Sequence, residues 1–522
     1  MHISLSRSSA AIATDAGRDH SSQQNARQFY LDETARGKCL STAVICFMVL
    51  VSIALFWYPV RRIFANVEVN YNEGWNAYKA AMVASGLRLY GSPPQSLTGA
   101  AYAPLSFHLI AALGTPGTFT ATGRLLSLIS LLSIGTFVAL IVRRAGGSVA
   151  SAIFSFLLYE IAIALMLPDR IGMNDPELLA EALSIAGLYL YLRNPLSARF
   201  LCASALFFCL GGFTKQTLIV FPAVVAIDLL FRSRKGFVTW LGAMIVIAGI
   251  FLALTFLIDG RYFFAHLLSK RAYSYHMAWS QTHRYVVLFQ SLLVIATAWS
   301  ISAFRSHKLL AFVFVLSNAF AFLLAGGAGI DMNIFFSALA ATVIACGCAL
   351  SDTSRPAVLD SAAALMFAVF FVSIMIFVPG QLRRDREKMR NLSALENEFR
   401  SSVEYVRAHP GPALCESLLL CYEAGKPFEY EPFTVQDQIN TGRTKENDVL
   451  QLLRTHQFQT VQIELRSDEE DLKEWADLRA SLASDQTDSD KQRRFTPNFM
   501  KELLADYQLS KRTSQMALFS PK

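Results

Sequence analysis

The residues of this chain whose types suit catalysis are ionisable side chains at the borders of long apolar stretches. Glu73 lies beside Trp75 in a polar stretch, residues 71–114, which follows the first apolar stretch and is too polar to span a bilayer. Asp175 and Lys215 lie at later borders of the same kind. A carboxylate can act as a general base, while Lys and Arg can hold a phosphate whose negative charge grows as it leaves. These residue types predict a site that combines a base with phosphate-binding cations.

The composition is that of a polytopic membrane protein rather than of a soluble enzyme. Of the 522 residues, 53% are apolar and 17% are charged, and the mean hydropathy is +0.37. The net charge of +7 does not indicate nucleic-acid binding, because the Lys and Arg residues stand in short clusters between apolar runs. No basic patch with interleaved aromatic residues is present in the sequence. We therefore predict a membrane partner and no nucleic-acid partner.

Eleven apolar segments are near the length that a helix needs to cross a bilayer. They lie near residues 39–60, 120–142, 148–168, 175–193, 199–213, 216–232, 236–258, 285–304, 308–327, 332–350 and 358–379. The fold class predicted from them is an α-helical polytopic membrane protein with about eleven transmembrane helices.

The distribution of Lys and Arg predicts which loops share a face, because short cytoplasmic loops carry the basic excess. With a cytoplasmic N-terminus, the basic loops at 143–144, 193–199, 232–235, 305–308 and 351–355 fall on the cytoplasmic side. The opposite face then receives the loops with the candidate residues, at 72–73, 168–176, 211–217, 259–284 and 326–333. Arg61 and Arg62 depart from this split, and the pair either contacts a lipid phosphate or marks a span end. Ionisable groups at helix ends that open into a cavity are usually functional, so we predict one extracytoplasmic site.

The chain divides into three parts by composition. Residues 1–38 are predicted to be a disordered cytoplasmic tail, and residues 39–379 a transmembrane domain with its first external loop at 61–119. Residues 380–522 are predicted to be a small soluble α/β domain on the extracytoplasmic face. The alternating pattern of TVQIEL, residues 460–465, predicts a strand in this domain. Cys415 and Cys421 lie in this domain and can pair in an oxidising compartment, although a helix between them would hold the thiols too far apart.

Several stretches, taken in order, resemble a known group of enzymes. NEGWNAY, GLRLY and YAPLSFHLIAALG follow the first span, and PDRIGMNDPELLAEALSIAGLYLYL, GGFTKQTLIVFPA and GGAGIDMNIFFSALAA come later. Together with the C-terminal LLLCYEAGKPFEYEPF, they resemble GT-C-fold glycosyltransferases that use polyprenyl-phosphate sugars. That superfamily includes the protein mannosyltransferases, the aminoarabinose transferases and the bacterial RgtA/B/C/D-like group. The order of these stretches carries the resemblance, since no single motif is specific.

The resemblance implies roles for particular residues. Glu73 matches the acidic residue of the first loop and would deprotonate an acceptor hydroxyl, and Asp175 matches a second acidic position. Lys215 would bind the lipid phosphate of the donor, with Arg271 beside it. The predicted substrate-contacting residues are Tyr71, Asn72, Tyr102, His266 and Asn333. Each has a plain structural alternative: Glu73 can be a helix N-terminal charge, Asp175 a helix cap, and Lys215 a snorkelling side chain.

Many members of the group carry two adjacent carboxylates where this chain has Asn72 and Glu73. No metal ligands are therefore assigned. No cofactor is predicted with certainty, and a divalent cation stays a candidate cofactor.

The predicted activity is transfer of a sugar from a polyprenyl-phosphate donor to the hydroxyl of a lipid, glycan or protein acceptor, with inversion at the anomeric carbon. The compact loops favour a bacterial inner membrane. Alternative functions are a multispan transporter or flippase, a polysaccharide polymerase, and a non-catalytic assembly factor. A transporter usually places ionisable groups near the bilayer midplane and often shows repeated halves. Here the charges lie at one face and no repeated halves are visible in the sequence.

Overall fold

The computed structural model describes residues 42–91, 97–99, 102–351, 357–465 and 494–522. The predicted N-terminal tail lies outside these residues. The helices are α1 (Thr42–Phe64), α2 (Asn72–Ala84), α3 (Leu105–Leu113), α4 (Phe119–Arg144), α5 (Val149–Met166), α6 (Glu177–Arg193), α7 (Ala198–Gly212), α8 (Val220–Arg232), α9 (Arg234–Ile258), α10 (Phe263–Leu267), α11 (Tyr275–Ser302), α12 (Lys308–Leu324), α13 (Phe336–Ala349), α14 (Ala357–Ala408), α15 (Leu418–Glu423), α16 (Pro432–Asn440), α17 (Glu446–Arg454) and α18 (Pro497–Asp506).

Each of the eleven predicted apolar segments corresponds to one helix, namely α1, α4 to α9 without interruption, and α11 to α14. Within the described residues, seven helices are long and apolar enough to cross a membrane, and α7 and α12 are shorter apolar helices. The chain is therefore a multipass membrane protein, and the count of eleven crossings stays a prediction.

The centre of the membrane part is occupied by α13, whose apolar window is 89% buried. It contacts α4, α5, α11 and α12. Its small residues allow this close packing, since a Cβ added to Gly347 would lie 2.0 Å from the Ser155 hydroxyl oxygen. By contrast, the apolar window of α9 is only 6% buried. The side chains of α9 are therefore those expected to face lipid.

The polar stretch after α1 contains two short helices, α2 and α3. Trp75 of α2 packs edge-on against Tyr102 and Phe107, with ring centroids 5.4 Å and 5.5 Å away. The same helix contacts α15 of the C-terminal part. This stretch therefore lies between the membrane helices and the C-terminal residues.

The C-terminal part contains a four-stranded sheet in the order β1-β2-β4-β3. Its strands are β1 (Ala413–Cys415), β2 (Thr460–Glu464), β3 (Tyr507–Arg512) and β4 (Met516–Pro521). β1 pairs with β2 in parallel, and β4 pairs antiparallel with both β2 and β3. β2 was predicted from its alternating pattern, whereas the largely polar β3 was not. The sheet is connected to the membrane part through α14, one helix of 52 residues that contains Pro379. The predicted domain boundary at 379/380 therefore falls inside a helix.

Cys415 and Cys421 form a disulfide, with their Cα atoms 5.8 Å apart. The expectation that a helix between them holds the thiols apart is wrong. The strand β1 ends at Cys415 and α15 begins only at Leu418, so the chain turns back before the helix starts. Cys421 thereby comes to lie beside the end of β1.

Candidate active site

Glu73 lies in the first turn of α2, and its side chain is completely buried. Its Oε1 accepts hydrogen bonds from Nε of Arg124 at 2.7 Å and from the Asn174 backbone N–H at 3.0 Å. Its Oε2 accepts from Nη2 of Arg124 at 2.6 Å and from the Val69 backbone N–H at 2.8 Å. Both carboxylate oxygens are thus occupied by protein donors.

Arg124 is a functional candidate that the sequence reasoning missed. It lies inside the apolar helix α4, is 1% exposed, and donates to the backbone carbonyls of Ala65 at 2.7 Å and Val67 at 2.6 Å. The guanidinium therefore joins Glu73 to the chain that leaves α1. An arginine within a membrane-spanning segment is expensive to bury, and that isolated charge was the available signal.

Asp175 directly follows Asn174 and lies two residues before Glu177, the first residue of α6. Its Oδ1 accepts from the Glu177 backbone N–H at 2.9 Å, and its Oδ2 accepts from Nη1 of Arg170 at 3.0 Å. Nδ2 of Asn72 lies 3.4 Å from the same Oδ2. The plain alternative of a helix cap therefore describes one of its contacts. The other two contacts join Asp175 to Arg170 of its own loop and to Asn72 of α2.

A small hollow borders Asp175. A hollow with room for about one water molecule is lined by the polar residues Asn76, Ser106, Ser127 and Asn174 together with Asp175, and by apolar residues of α3, α4 and α6. Asp175 lines this hollow and Glu73 does not. Of the two predicted acidic residues, Asp175 is thus the one that borders the hollow.

Lys215 lies between α7 and α8, and its ammonium group pairs with Oε2 of Glu177. Nδ2 of Asn333 donates to the same oxygen at 2.9 Å. The ammonium also lies 5.2 Å from the centre of the Tyr102 ring, a cation–π distance. Lys215, Tyr102 and Asn333, which come from three separate segments of the sequence, therefore meet at the start of α6.

Arg170 and Arg271 bring further positive charge to this cluster. Arg170 is 8% exposed and connects two loops, because it binds Asp175 and also donates to Oδ2 of Asp331 at 3.0 Å. Burial raises the pKa of the Tyr102 phenol, while the positive charges of Lys215 and Arg271 oppose that increase. Arg271 therefore lies within electrostatic range of the same tyrosine that Lys215 covers.

Two other predicted residues lie at the margin of the cluster. The Tyr71 hydroxyl accepts a hydrogen bond from the Phe433 backbone N–H at 3.2 Å, and the Arg494 guanidinium carbon lies 4.3 Å from the Tyr71 ring centre. Tyr71 thus faces the C-terminal part. The His266 ring lies 5.9 Å from that of Tyr90, whose hydroxyl donates to the Tyr102 carbonyl at 2.7 Å.

The described residues contain no group of three or more His, Cys, Asp and Glu side chains placed to hold a metal ion. Asp175, Glu177 and Asp331 are instead matched by Arg170 and Lys215 at ion-pair distance. The arrangement combines a carboxylate beside a hollow with a buried set of cations. Such a site can accept a proton and hold a phosphate.

No protein-family model matches this chain, and no curated protein sequence matches it. Its fold is similar to the crystal structure of ArnT from Cupriavidus metallidurans in the apo state, with a TM-score of 0.55 and 12% identity over 92% of this chain and 98% of that chain. ArnT bound to undecaprenyl phosphate gives a TM-score of 0.54 and 13% identity over the same shares. The Archaeoglobus fulgidus oligosaccharyltransferase complex with Zn and sulfate gives 0.43 and 11% over 81% of this chain and 68% of that chain. The two ArnT structures show the fold, which is the one that the resemblance implied.

Proposed function

We propose that this chain, which has the GT-C fold of the aminoarabinose transferase ArnT, is a membrane glycosyltransferase. It transfers a sugar from a polyprenyl-phosphate donor to a hydroxyl group of a lipid, glycan or protein. The observation that carries the proposal is the meeting of Asp175, Lys215, Tyr102 and Arg170 at the ends of apolar helices. These groups supply what the transfer needs, which is a proton acceptor next to cations for a phosphate.

The donor phosphate is assigned to Lys215, with Arg271 and Arg170 nearby. One of the ArnT structures contains undecaprenyl phosphate, which is a lipid phosphate of the proposed class. In this chain the buried cations lie where apolar helices end, so a lipid can keep its tail in the bilayer while its phosphate reaches them. Because the site is shielded from water, each cation–phosphate contact is stronger than it would be at the surface.

Asp175 is assigned as the base and Glu73 as a positioning residue. Both oxygens of Glu73 and both oxygens of Asp175 accept hydrogen bonds from protein donors, but Asp175 also lines the hollow, which Glu73 does not. Glu73 accepts from the backbone of Asn174 and so fixes the segment that carries Asp175. This division of roles modifies the expectation from sequence, in which Glu73 itself removes the proton.

The reaction is a single displacement. The acceptor O–H bond breaks as its proton passes to Asp175, and the acceptor oxygen forms a bond to the anomeric carbon. The bond from that carbon to the phosphate oxygen breaks, and its electron pair stays on the phosphate, where Lys215 stabilises the added charge. One displacement inverts the anomeric carbon.

The extracytoplasmic face is assigned from the C-terminal part. The Cys415–Cys421 disulfide favours an oxidising compartment. The backbone N–H of Leu419, in the adjoining helix α15, donates to Glu68 at 3.1 Å, five residues before Glu73. The disulfide and the proposed site therefore lie on the same side, which supports a site facing the periplasm of a bacterial inner membrane.

The test is transfer of labelled sugar by the purified protein in lipid nanodiscs, with a panel of polyprenyl-phosphate hexoses and pentoses as donors. Asp175→Asn should reduce turnover by roughly 10²-fold or more, and Lys215→Ala should raise KM for the donor. Asp228→Asn is the matched control, because Asp228 pairs with Arg232 at the opposite end of α8 from Lys215. Full turnover by Asp175→Asn would contradict its role. Movement of the lipid-linked sugar across the bilayer without transfer would favour the transporter alternative.

A further inference from the structure

The cation assigned to the donor phosphate already has an anionic partner. Lys215 and Glu177 form an ion pair in which the side chains are 13% and 4% exposed. Asn333 donates to the same Glu177 oxygen. A phosphate that binds Lys215 must therefore compete with a buried carboxylate.

The surroundings of Glu177 offer little positive charge to replace Lys215. From the segment before α6 it faces Asp175 and Arg170, and from its own helix it faces Glu181 one turn deeper. Tyr159 faces it from α5, and Asn333 from the segment before α13. Arg170 is the remaining cation of this set, and it is already bonded to Asp175 and Asp331. Once Lys215 turns to a phosphate, the Glu177 carboxylate keeps the hydrogen bond from Asn333 but has no cation of its own.

An unpaired charge in such a place is unfavourable. Removing one member of a buried ion pair leaves the other desolvated and uncompensated, and a buried carboxyl group in that condition binds a proton instead. The incoming phosphate adds further negative charge close by, which favours the protonated carboxyl group again. Binding of the phosphate and protonation of Glu177 should therefore occur together.

We propose that binding of a lipid phosphate at Lys215 is coupled to the uptake of one proton by Glu177. The hydrogen bonds of the Lys215 ammonium pass from the Glu177 carboxylate to the phosphate oxygens, and a proton from solvent adds to the released carboxylate. The inference rests on the proposed donor site and adds to it a residue that controls affinity. Glu177 then acts as a competitor that is silenced by protonation, which makes it a positioning residue for Lys215.

The test measures binding of a polyprenyl phosphate to the full-length protein in nanodiscs between about pH 7.5 and pH 9, where the phosphate monoester is already a dianion. The unaltered protein should lose about tenfold in affinity for each pH unit, the signature of one proton taken up. Glu177→Gln should bind with an affinity independent of pH, because the amide cannot exchange a proton. Glu160→Gln is the matched control, since Glu160 is buried in α5 and accepts no hydrogen bond from a described residue; it should keep the tenfold slope.

The outcomes separate this inference from the donor proposal. Absence of binding by the unaltered protein would reject the donor site and the coupling together. Binding that does not vary with pH, or a slope that persists in Glu177→Gln, would reject the coupling and leave the donor site intact. Should Glu177→Gln fail to fold, calorimetry of the unaltered protein in buffers of different ionisation enthalpy counts the protons directly. One proton taken up is expected, and none or a release would overturn the coupling.

Discussion

Arg124 donates two hydrogen bonds, of 2.7 Å and 2.6 Å, to the carboxylate of Glu73, and both side chains are buried. The pair joins the interior of α4 to the first turn of α2, 51 residues apart in the sequence. Since Glu73 also binds the backbone of Asn174, the pair supports the segment that carries Asp175. We therefore expect the Arg124–Glu73 pair to contribute to stability rather than to proton transfer.

Removing either partner of this pair should destabilise the protein. Arg124→Gln or Glu73→Gln leaves one buried charge unpaired, at a cost of about 3–5 kcal/mol. The double variant removes both charges and should recover part of that loss. Thermal denaturation of the purified variants measures the cycle, and a double variant as unstable as the sum of the single ones would show that the pair is not coupled.

The buried Lys79 gives a prediction of how the free energy of unfolding varies with pH. Its side chain is 6% exposed on α2, and burial lowers its pKa from 10.5 to about 8. Between these two pKa values the unfolded chain binds more protons than the folded one, so the free energy of unfolding should rise with pH from about 8 to about 10.5. Below about pH 8 the buried charge of Lys79 should destabilise the protein by its full amount. Lys79→Met should raise stability by about 1–3 kcal/mol at neutral pH and abolish the rise. Melting curves across this range check both results, and an unchanged pH profile in the variant would contradict them.

Gly74 should be intolerant of a side chain. An added Cβ would lie 2.0 Å from the backbone nitrogen of Leu419 and 2.2 Å from the carbonyl carbon of Leu418, so α15 would have to move away from α2. Gly74→Ala should cost about 1–3 kcal/mol and lower turnover, because the loop beside Asp175 loses support. Gly242→Ala is the matched control, since nothing lies within 4 Å of a Cβ there. Equal melting temperatures for the two variants would argue against this contact.

Loss of the disulfide should loosen the C-terminal part. Cys415 and Cys421 close a short loop with a sequence separation of 6, for which the chain-entropy model gives about 2 kcal/mol. Cys421→Ser should therefore lower the free energy of unfolding by about that amount and increase protease cleavage near α15. A reducing agent should reproduce the effect in the unaltered protein and leave the variant unchanged.

The sequence predicted the helices well because apolar length is a local property. All eleven apolar segments became helices, and the alternating pattern of β2 was sufficient to predict that strand. The strand β3 was not predicted, because its sequence YQLSKR has a largely polar pattern and the strand is formed by pairing with β4.

The sequence predicted which residues lie on one face better than it predicted the side chain that each of them binds. The rule on basic loops placed Asp175 and Lys215 on one face, and the contacts do bring them together. No local pattern, however, indicates that Glu177 occupies Lys215 or that Arg124 occupies Glu73. Those pairings depend on how helices distant in sequence pack, and they decide which carboxylate is accessible.

The continuous helix α14 connects the residues near the site with the surrounding lipid. Its first half carries apolar residues, and Lys388, farther along, pairs with Asp169 at 3.2 Å. A rigid rod of this kind tilts when the hydrocarbon thickness around it changes. Any such tilt moves Lys388 relative to the loop that leads to Asp175, so bilayers made from lipids of different acyl-chain length should alter turnover without any change in the protein.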